Sequence, residues 1–244
     1  HEVHLLASNV DQAVVVITMV RPKLKQGFID RFLLMTEPYN ISTLIVFNKA
    51  DLYNDGDMEI FNNLRNMYEK IGYDCLLLSA ETGLGLDVLS DKLKDKISLI
   101  GGQSGVGKSS LLNRLDPSNV RKTGIISDYS GKGQHTTTFA EMYDLSFDAR
   151  IIDTPGIKGF GIVDMEKEEV SGYFPEFFKL KEQCKFNNCL HKEEPHCAIK
   201  AALAKDEISW SRYNSYLKIL EGDDEHYRTD IHNEDRIISD KSRE

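Results

Sequence analysis

Short apolar runs alternate with amphipathic stretches along the first 115 residues. Runs rich in Val, Ile and Leu predict buried strands, and apolar positions three or four residues apart predict helices between them. The predicted strands are Val14–Val20, Leu44–Phe47, Cys75–Leu78 and Ile97–Ile100. The predicted helices are Phe28–Tyr39, Met58–Ile71, Leu86–Leu93 and Ser109–Leu115. Such alternation is typical of a parallel sheet that carries helices on both faces.

The pattern becomes irregular after Leu115. Residues 116–138 are polar, rich in Gly, Ser and Thr, and without a period, which is typical of a long functional loop. Two further strands are predicted at Phe139–Leu145 and Ala149–Ile152. The α/β pattern is therefore predicted to continue beyond the loop.

The alternation of strands and helices ends at Asp164. A Phe-rich helix over Phe174–Leu180, a cysteine-rich segment and a long helix over Ala198–Glu221 are predicted beyond it. We therefore predict two domains, an α/β domain over residues 1–163 and a small, mostly helical domain over residues 164–244.

Composition and charge restrict the class of protein. A hydrophobic fraction of 41% and a charged fraction of 28% are typical of soluble globular proteins. The net charge of −9 argues against binding of nucleic acid through bulk charge, although a local basic patch stays compatible with it. No apolar run is long enough to span a membrane and no signal peptide is visible, so we expect a cytoplasmic protein with no membrane contact.

A phosphate-binding sequence follows the strand at Ile97–Ile100. It fits the pattern G-x-x-x-x-G-K-[ST], in which glycines let the backbone N–H groups surround a phosphate chain. Lys108 is predicted to reach the outer phosphates and to assist catalysis, and the Ser109 hydroxyl is predicted to bind Mg²⁺. The residues predicted to bind nucleotide here are Gly102, Gln103, Ser104, Gly105, Val106, Gly107, Lys108, Ser109 and Ser110.

A guanine-reading segment follows the strand at Leu44–Phe47. The sequence there is Asn48-Lys49-Ala50-Asp51, and the Asp51 carboxylate can accept two hydrogen bonds from the N–H groups of guanine. Adenine offers no such pair of donors, so Asp51 would select guanine. Ser79 and Ala80 follow the next strand and would support the same base from a loop.

Two more segments are predicted to bind Mg²⁺ and to sense the γ-phosphate. Asp153-Thr154-Pro155-Gly156 ends a strand, so Asp153 can hold Mg²⁺ through water and the Gly156 N–H can sense a γ-phosphate. The long loop closes with three threonines, of which Thr137, or else Thr136, would complete the coordination of Mg²⁺ in the triphosphate state.

These are the parts of a GTPase, but their order is unusual. The common order begins with the phosphate loop and ends with the guanine-reading segments, whereas here the guanine-reading segments come first. The sheet is therefore predicted to be circularly permuted. On Gly102–Ser110, Gly131–Thr138 and Asp153–Gly156, the chain resembles the circularly permuted, ribosome small-subunit-dependent GTPases of the RsgA family.

The resemblance covers nearly the whole chain and implies a function. It implies a monomeric enzyme that binds GTP and GDP, hydrolyses GTP during late maturation of the small ribosomal subunit, and contacts that subunit and its rRNA. It also implies an N-terminal oligonucleotide-binding barrel that this sequence lacks, and His1–Asp11 is similar to the link that leaves such a barrel. The predicted fold is a circularly permuted P-loop GTPase sheet with helices on both faces, plus a small, mostly helical zinc-binding domain.

Three of the four cysteines lie within fourteen residues, which favours a metal site in a reducing compartment over disulfides. Cys184, Cys189, His191 and Cys197 make a Cys₃His set of the kind that holds structural zinc, and the spacing matches the zinc module of the family. His196 is an alternative ligand. Cys75 lies between apolar residues on a predicted strand and is assigned to the core.

The position after Gly156 lacks the glutamine that orients water in many GTPases, because Ile157 occupies it. His135, in the long loop, is the candidate for that catalytic role, and the resemblance implies the same role. A solvated loop histidine without a role is the alternative interpretation.

Two other functions stay open at this stage. The chain could be a signalling-type GTPase switch with protein effectors and no RNA contact, which the acidic pI of about 5.3 favours weakly. It could also be a zinc-stabilised RNA-binding module in which nucleotide is a structural ligand, which the full set of Mg²⁺ and switch residues disfavours.

Overall fold

The computed structural model describes residues 9–119, 141–153 and 165–222. The chain divides into two compact units. The first comprises His1–Met165 with Tyr173–Glu176, and the second comprises Glu166–Gly172 with Phe177–Glu244. The predicted domain boundary between residues 163 and 164 lies outside the described residues.

A six-stranded sheet forms the centre of the first unit. Its strands are β1 Gln12–Ile17, β2 Ser42–Phe47, β3 Asp74–Leu77, β4 Ile97–Gly102, β5 Glu141–Leu145 and β6 Ala149–Asp153. They lie in the order β3-β2-β1-β4-β6-β5. Neighbouring strands are parallel except for β5 and β6, which form an antiparallel hairpin. The predicted α/β fold is confirmed, with β5 as an antiparallel edge strand.

Four helices of the first unit cover the two faces of this sheet. They are α1 Gln26–Thr36, α2 Asp55–Ile71, α3 Leu86–Leu93 and α4 Lys108–Leu115. Alternate residues of β1 point to opposite faces, and all six are buried. Val15 belongs to a core cluster with Phe32 of α1 and Phe61 of α2, whereas Val14 belongs to one with Leu89 of α3 and Leu111 of α4.

Parallel pairing brings the functional segments to one edge of the sheet. The carboxyl ends of β1, β2, β3, β4 and β6 all lie at that edge because these strands run in the same direction. The segments predicted to read guanine follow β2 and β3, and the phosphate loop follows β4. Among the described residues, no helix is both long enough and apolar enough to cross a membrane.

The second unit contains short helices around a cysteine-rich segment. They are α5 Lys167–Val170, the second half of α6 Pro175–Phe178, whose first two residues belong to the first unit, α7 Ala198–Leu203 and α8 Trp210–Leu220. The prediction of a helix over Phe174–Leu180 is wrong in its length, because α6 makes a single turn and 3₁₀ turns precede and follow it. Leu180 N–H bonds to the carbonyl of Phe177, and this spacing closes a 3₁₀ turn instead of extending the α-helix.

The prediction of one long helix over Ala198–Glu221 is also wrong. The helix stops after α7 because Asp206 takes a left-handed conformation, with a φ of 56°. The N–H of Glu207 then bonds to the carbonyl of Ala202, and the N–H of Asp206 bonds to that of Leu203, which is the Schellman pattern of a helix end. Glycine usually occupies the left-handed position of this pattern. An aspartate at that position is therefore a weak signal of a helix end in the sequence.

Candidate nucleotide-binding site and metal centre

The phosphate loop, Gly102–Ser109, joins the end of β4 to the start of α4. Gly107 precedes α4 with a φ of 94°, a conformation that favours glycine. A Cβ on Gly102 would lie 2.4 Å from the carbonyl oxygen of Val16, so glycine also permits the close approach of β1. Lys108 folds back over the loop and donates to the Gly102 carbonyl at 2.7 Å.

Asn48 joins the phosphate loop to the segment that follows β3. Its side chain is buried, and its amide nitrogen donates to the carbonyl of Val106 at 2.9 Å. Its amide oxygen accepts from the N–H of Ala80 at 3.1 Å. Residues that are 58 and 32 positions from Asn48 in the chain are thus held by one side chain.

Lys49 makes a second connection to the phosphate loop. Its ammonium group donates to the carbonyls of Gly105 and Arg21, both at 2.7 Å. Lys49 has a φ of 66°, in the left-handed region that few residues adopt without local support. The two carbonyl acceptors supply that support and fix the direction of the side chain.

Asp51 lies exposed in a 3₁₀ turn over Ala50–Leu52. One of its carboxylate oxygens accepts a hydrogen bond from the hydroxyl of Ser79. The same hydroxyl oxygen accepts from the N–H of Thr82 at 3.1 Å. The structure therefore brings Asp51, Ser79 and Ala80 together, as the sequence pattern predicts for a site that reads a base.

Asp153 and Lys108 lie on the phosphate side of the same edge. Asp153 ends β6, is buried, and is in register with Ile100 of β4. Burial lowers the pKa of Lys108, and the negative charge of Asp153 offsets part of that shift. Ser109 is half-buried and lies in the first turn of α4, whereas Ser104 and Ser110 are exposed and Val106 is buried.

Several predicted site residues lie outside the described residues. They are His135, Thr136, Thr137, Gly156 and Ile157. Their predicted roles stay predictions.

Four buried side chains of the second unit form a cluster that could hold a metal ion. Each of Cys184, Cys189, His191 and Cys197 offers a donor atom, and the four atoms lie within 4.8 Å of one another. The Nδ1 atom of His191 lies 3.3 Å from the sulfur of Cys197 and 3.6 Å from that of Cys184. His196, the alternative ligand, is outside the cluster of His, Cys, Asp and Glu side chains found among the described residues.

The loop around His191 is held from several directions. The carboxylate of Glu194 accepts from the N–H groups of Leu190 and Lys192, both at 2.8 Å. Tyr213 donates its hydroxyl hydrogen to the carbonyl of His191 at 2.6 Å. Burial lowers the pKa of His191, which favours the neutral ring that a metal ligand requires.

Burial also affects the thiols of Cys189 and Cys197, whose pKa values it raises. It raises the pKa of Cys189 to about 12, with neighbouring cysteines adding to the effect. The N–H of Ala198 points at the sulfur of Cys184 at 3.3 Å, as for a hydrogen bond to a metal-bound thiolate. Cys75, by contrast, lies half-buried on β3 against the apolar core and is a free thiol.

Sequence reasoning missed one part of the nucleotide side. The segment Met19–Pro22, after β1, contacts the guanine-reading segment through Lys49 and through Tyr53, whose hydroxyl accepts from the N–H of Met19 at 3.0 Å. The apolar run in the sequence predicts that Met19 and Val20 continue the strand, whereas β1 ends at Ile17. The only available signal was its place at the carboxyl end of a strand.

A family model and several known proteins are similar to this chain. The family model of the RsgA GTPases matches residues 1–163. The small ribosomal subunit biogenesis GTPase RsgA of Flavobacterium johnsoniae is 62% identical over 242 residues, which are 99% of this chain and 74% of that protein. The small ribosomal subunit biogenesis GTPase RsgA 2 of Bacteroides thetaiotaomicron is 50% identical over 222 residues, 91% of this chain and 72% of that protein.

Two crystal structures share the architecture. YjeQ from Thermotoga maritima gives a TM-score of 0.75 at 38% identity, over 88% of this chain and 71% of that one. YloQ, a circularly permuted GTPase, gives a TM-score of 0.71 at 32% identity, over 88% of this chain and 68% of that one. The predicted resemblance is thereby confirmed, and the chain belongs to the RsgA GTPase family.

Proposed function

We propose that this chain is a Mg²⁺-dependent GTP hydrolase that acts as a monomer in late maturation of the small ribosomal subunit, which stimulates it. The observation that carries the nucleotide part is the bridge that Asn48 and Lys49 make to the phosphate loop. This bridge joins the segment that carries Asp51 to Gly102–Ser109, which supports base reading by the first and phosphate binding by the second. The ribosomal part is supported by relatives named small ribosomal subunit biogenesis GTPases.

The base and the phosphates would be bound by different segments. Asp51 would accept from guanine, with Ser79 fixing one of its oxygens and Ala80 alongside. The N–H groups of residues 102–110 would surround the phosphates. Lys108, which now donates to Gly102, would exchange that carbonyl for phosphate oxygens and neutralise charge that develops during hydrolysis.

Mg²⁺ would be held between the phosphate loop and β6. The residues proposed to hold it are Ser109, Thr137 and Asp153, with Asp153 acting through water. The ion would bridge two phosphates and stabilise the charge of the leaving group. Gly156 would sense the γ-phosphate, and His135 would orient the attacking water because Ile157 offers no polar atom.

We propose zinc as the metal of the Cys₃His cluster. Zn–S bonds of about 2.3 Å and Zn–N bonds of about 2.0 Å place tetrahedral donors roughly 3.5–3.8 Å apart. The sulfurs of Cys184 and Cys197 are 4.0 Å apart, and each lies at a similar distance from Nδ1 of His191. Three soft thiolates and one imidazole favour zinc over Mg²⁺ or Ca²⁺, which prefer oxygen ligands. The ion would serve structure, because all four positions of a tetrahedron are filled by protein.

Contact with rRNA would use a lysine-rich face of the metal-binding unit. Phe178 and Phe186 are exposed, and the ammonium groups of Lys181 and Lys185 lie 5.0 Å and 5.5 Å from the centres of their rings. Residues 178–192 contain four lysines and one glutamate, against a chain charge of −9. Exposed rings beside cations suit unpaired bases and phosphates.

One experiment tests the function as a whole. GTP turnover would be measured with and without purified small ribosomal subunits, for the native chain and for Lys108→Ala. We expect slow turnover alone, strong stimulation by subunits, and loss of both in the variant. Turnover that subunits leave unchanged would contradict the ribosomal part, and turnover retained by Lys108→Ala would contradict the assignment of the site.

A separate binding experiment tests the rRNA face. Phe178→Ala with Phe186→Ala should weaken binding to the subunit while metal content and intrinsic turnover stay native. Lys181→Ala should reduce the slope of log affinity against log salt concentration by about one. Native binding by both variants would move the rRNA contact to another surface.

A further inference from the structure

The hydroxyl of Tyr53 connects two segments at the nucleotide edge of the sheet. It accepts a hydrogen bond from the N–H of Met19 at 3.0 Å and donates one to the main-chain carbonyl of Asn48 at 2.7 Å. Tyr53 follows the 3₁₀ turn that carries Asp51, and its ring is half-buried against the apolar core. One phenol group thus fixes both the end of β1 and the first residue of the guanine-reading segment.

The segment that Tyr53 holds is also fixed at its other end. Lys49 donates to the carbonyl of Arg21 while it donates to Gly105 of the phosphate loop. A hydrogen bond from the hydroxyl of Thr18 to the carbonyl of Val20 closes the turn between the two ends. Met19–Pro22 is therefore a short strap with one attachment at Met19 and one at Arg21.

This strap lies directly behind the phosphate loop. A Cβ built on Gly105 would be 3.7 Å from the ring of Pro22, which is ordinary van der Waals contact. Gly105 itself has a φ of 83°, in the left-handed region that glycine adopts without strain. Movement of the strap would withdraw the surface against which the outer part of the phosphate loop rests.

We propose that Tyr53 is a positioning residue for nucleotide binding, which acts by holding the Met19–Pro22 strap and the backbone of Asn48 in the geometry that the nucleotide requires. This inference rests on the proposed function of the site. Tyr53 does not reach the nucleotide in this scheme. It sets the place of Asn48, and Asn48 in turn sets the place of Val106 in the phosphate loop.

Tyr53→Phe removes only the hydroxyl and keeps the packing of the ring. Loss of one hydrogen-bonded hydroxyl that positions a site should weaken binding of GDP and GTP equally, by about three- to tenfold. Titration with each nucleotide measures the two affinities, and the ratio between them should stay native because GDP and GTP depend on the same position of Asn48 and the phosphate loop.

Tyr73→Phe is the matched control. Tyr73 also donates its hydroxyl hydrogen to a partner, Glu37 at 2.6 Å, but it precedes β3 and lies at the opposite edge of the sheet. We expect this variant to lower thermal stability and to leave both nucleotide affinities within about twofold of native. Equal weakening in Tyr53→Phe and Tyr73→Phe would overturn the proposal in favour of a general loss of stability.

Hydrogen exchange of the nucleotide-free chain separates this proposal from the proposed function. Tyr53→Phe should speed exchange over the Met19–Pro22 strap and the phosphate loop, and Tyr73→Phe should not. Unchanged exchange in Tyr53→Phe overturns the positioning role whether or not the chain binds GTP. If exchange is faster in Tyr53→Phe but the native chain binds no GTP, the positioning role of Tyr53 stands and the proposed function is refuted.

Discussion

The side-chain nitrogen of Asn48 lies 2.9 Å from the carbonyl oxygen of Val106, and this hydrogen bond joins the guanine-reading segment to the phosphate loop. Both groups are buried, so the bond is shielded from water and its loss would leave two polar atoms unsatisfied. The bond does not depend on which segment comes first in the chain. A permuted order of strands can therefore keep the same site.

Gly107→Ala should disrupt this bond directly. A Cβ at Gly107 would lie 2.5 Å from the amide nitrogen of Asn48, and the φ of 94° would be strained by about 1–2 kcal/mol. We expect GDP affinity to fall at least tenfold, as measured by titration with a fluorescent analogue. Gly105→Ala is the control, since it has a similar φ of 83° but ample space. An equal loss in both variants would show that backbone strain alone matters.

Asp51→Asn should change the preferred base. The amide cannot accept both guanine N–H groups, so GTP binding should weaken by roughly two orders of magnitude, and xanthosine triphosphate should gain because its carbonyl pairs with the amide N–H. Competition between the two nucleotides measures the switch. If the variant binds GTP as the native chain does, Asp51 does not read the base.

Affinity for nucleotide should fall as pH rises, and Lys108 should be one cause. Burial lowers its pKa, so it loses its positive charge at a lower pH than an exposed lysine. The effect of pH on the stability of the fold has the opposite sign. Because the pKa of Lys108 is lower in the folded chain, the unfolded chain binds more protons, so the stability of the nucleotide-free chain rises with pH. Both slopes should shrink in Lys108→Met at pH values below about 10.5, the ordinary pKa of a lysine side chain. Identical slopes in the two chains would contradict the prediction.

Removal of metal should unfold the second unit and spare the first. We expect one zinc ion per chain by elemental analysis, lost in Cys184→Ala with Cys189→Ala. Trp210, the only tryptophan, stacks edge-on against Tyr213, which bonds to His191, so its fluorescence reports on the cluster. Chelation should change that emission and leave GDP binding native. Metal retained by the double variant would contradict the ligand set.

Acid should release the ion as well, because its ligands must be deprotonated.

His135→Ala should separate binding from stimulated hydrolysis. A neutral imidazole can accept a hydrogen bond from the attacking water, whereas Ile157 cannot. We expect native GTP affinity and a loss of most of the rate that small subunits stimulate, on the order of 10²-fold. Single-turnover hydrolysis with and without subunits measures both quantities. If small subunits still stimulate hydrolysis fully in the variant, His135 does not orient the attacking water, and a group of the ribosome does.

The sequence by itself determined the sheet, its permutation and the four members of the Cys₃His cluster. The β-branched run Val14–Ile17 forms most of β1, and the amphipathic period of α2 ends at Gly72, so the local pattern and the final structure agree for these elements. Cys184 and Cys189 lie close together in the sequence, and cysteines at such spacing are typical of metal sites. These features are encoded within a few residues of one another.

Only the tertiary structure decided which distant groups meet. Tyr53 bonds to Met19 across 34 positions, and Asn48 bonds to Val106 across 58, and no period or spacing encodes such a pair. The break between α7 and α8 escaped prediction for a related reason. Asp206 takes a left-handed conformation, which aspartate adopts less often than glycine, and the hydrogen bonds of the helix end stabilise it. The preferences of neighbouring residues determine the helices and strands, whereas contacts between residues distant in the sequence determine the geometry of the site.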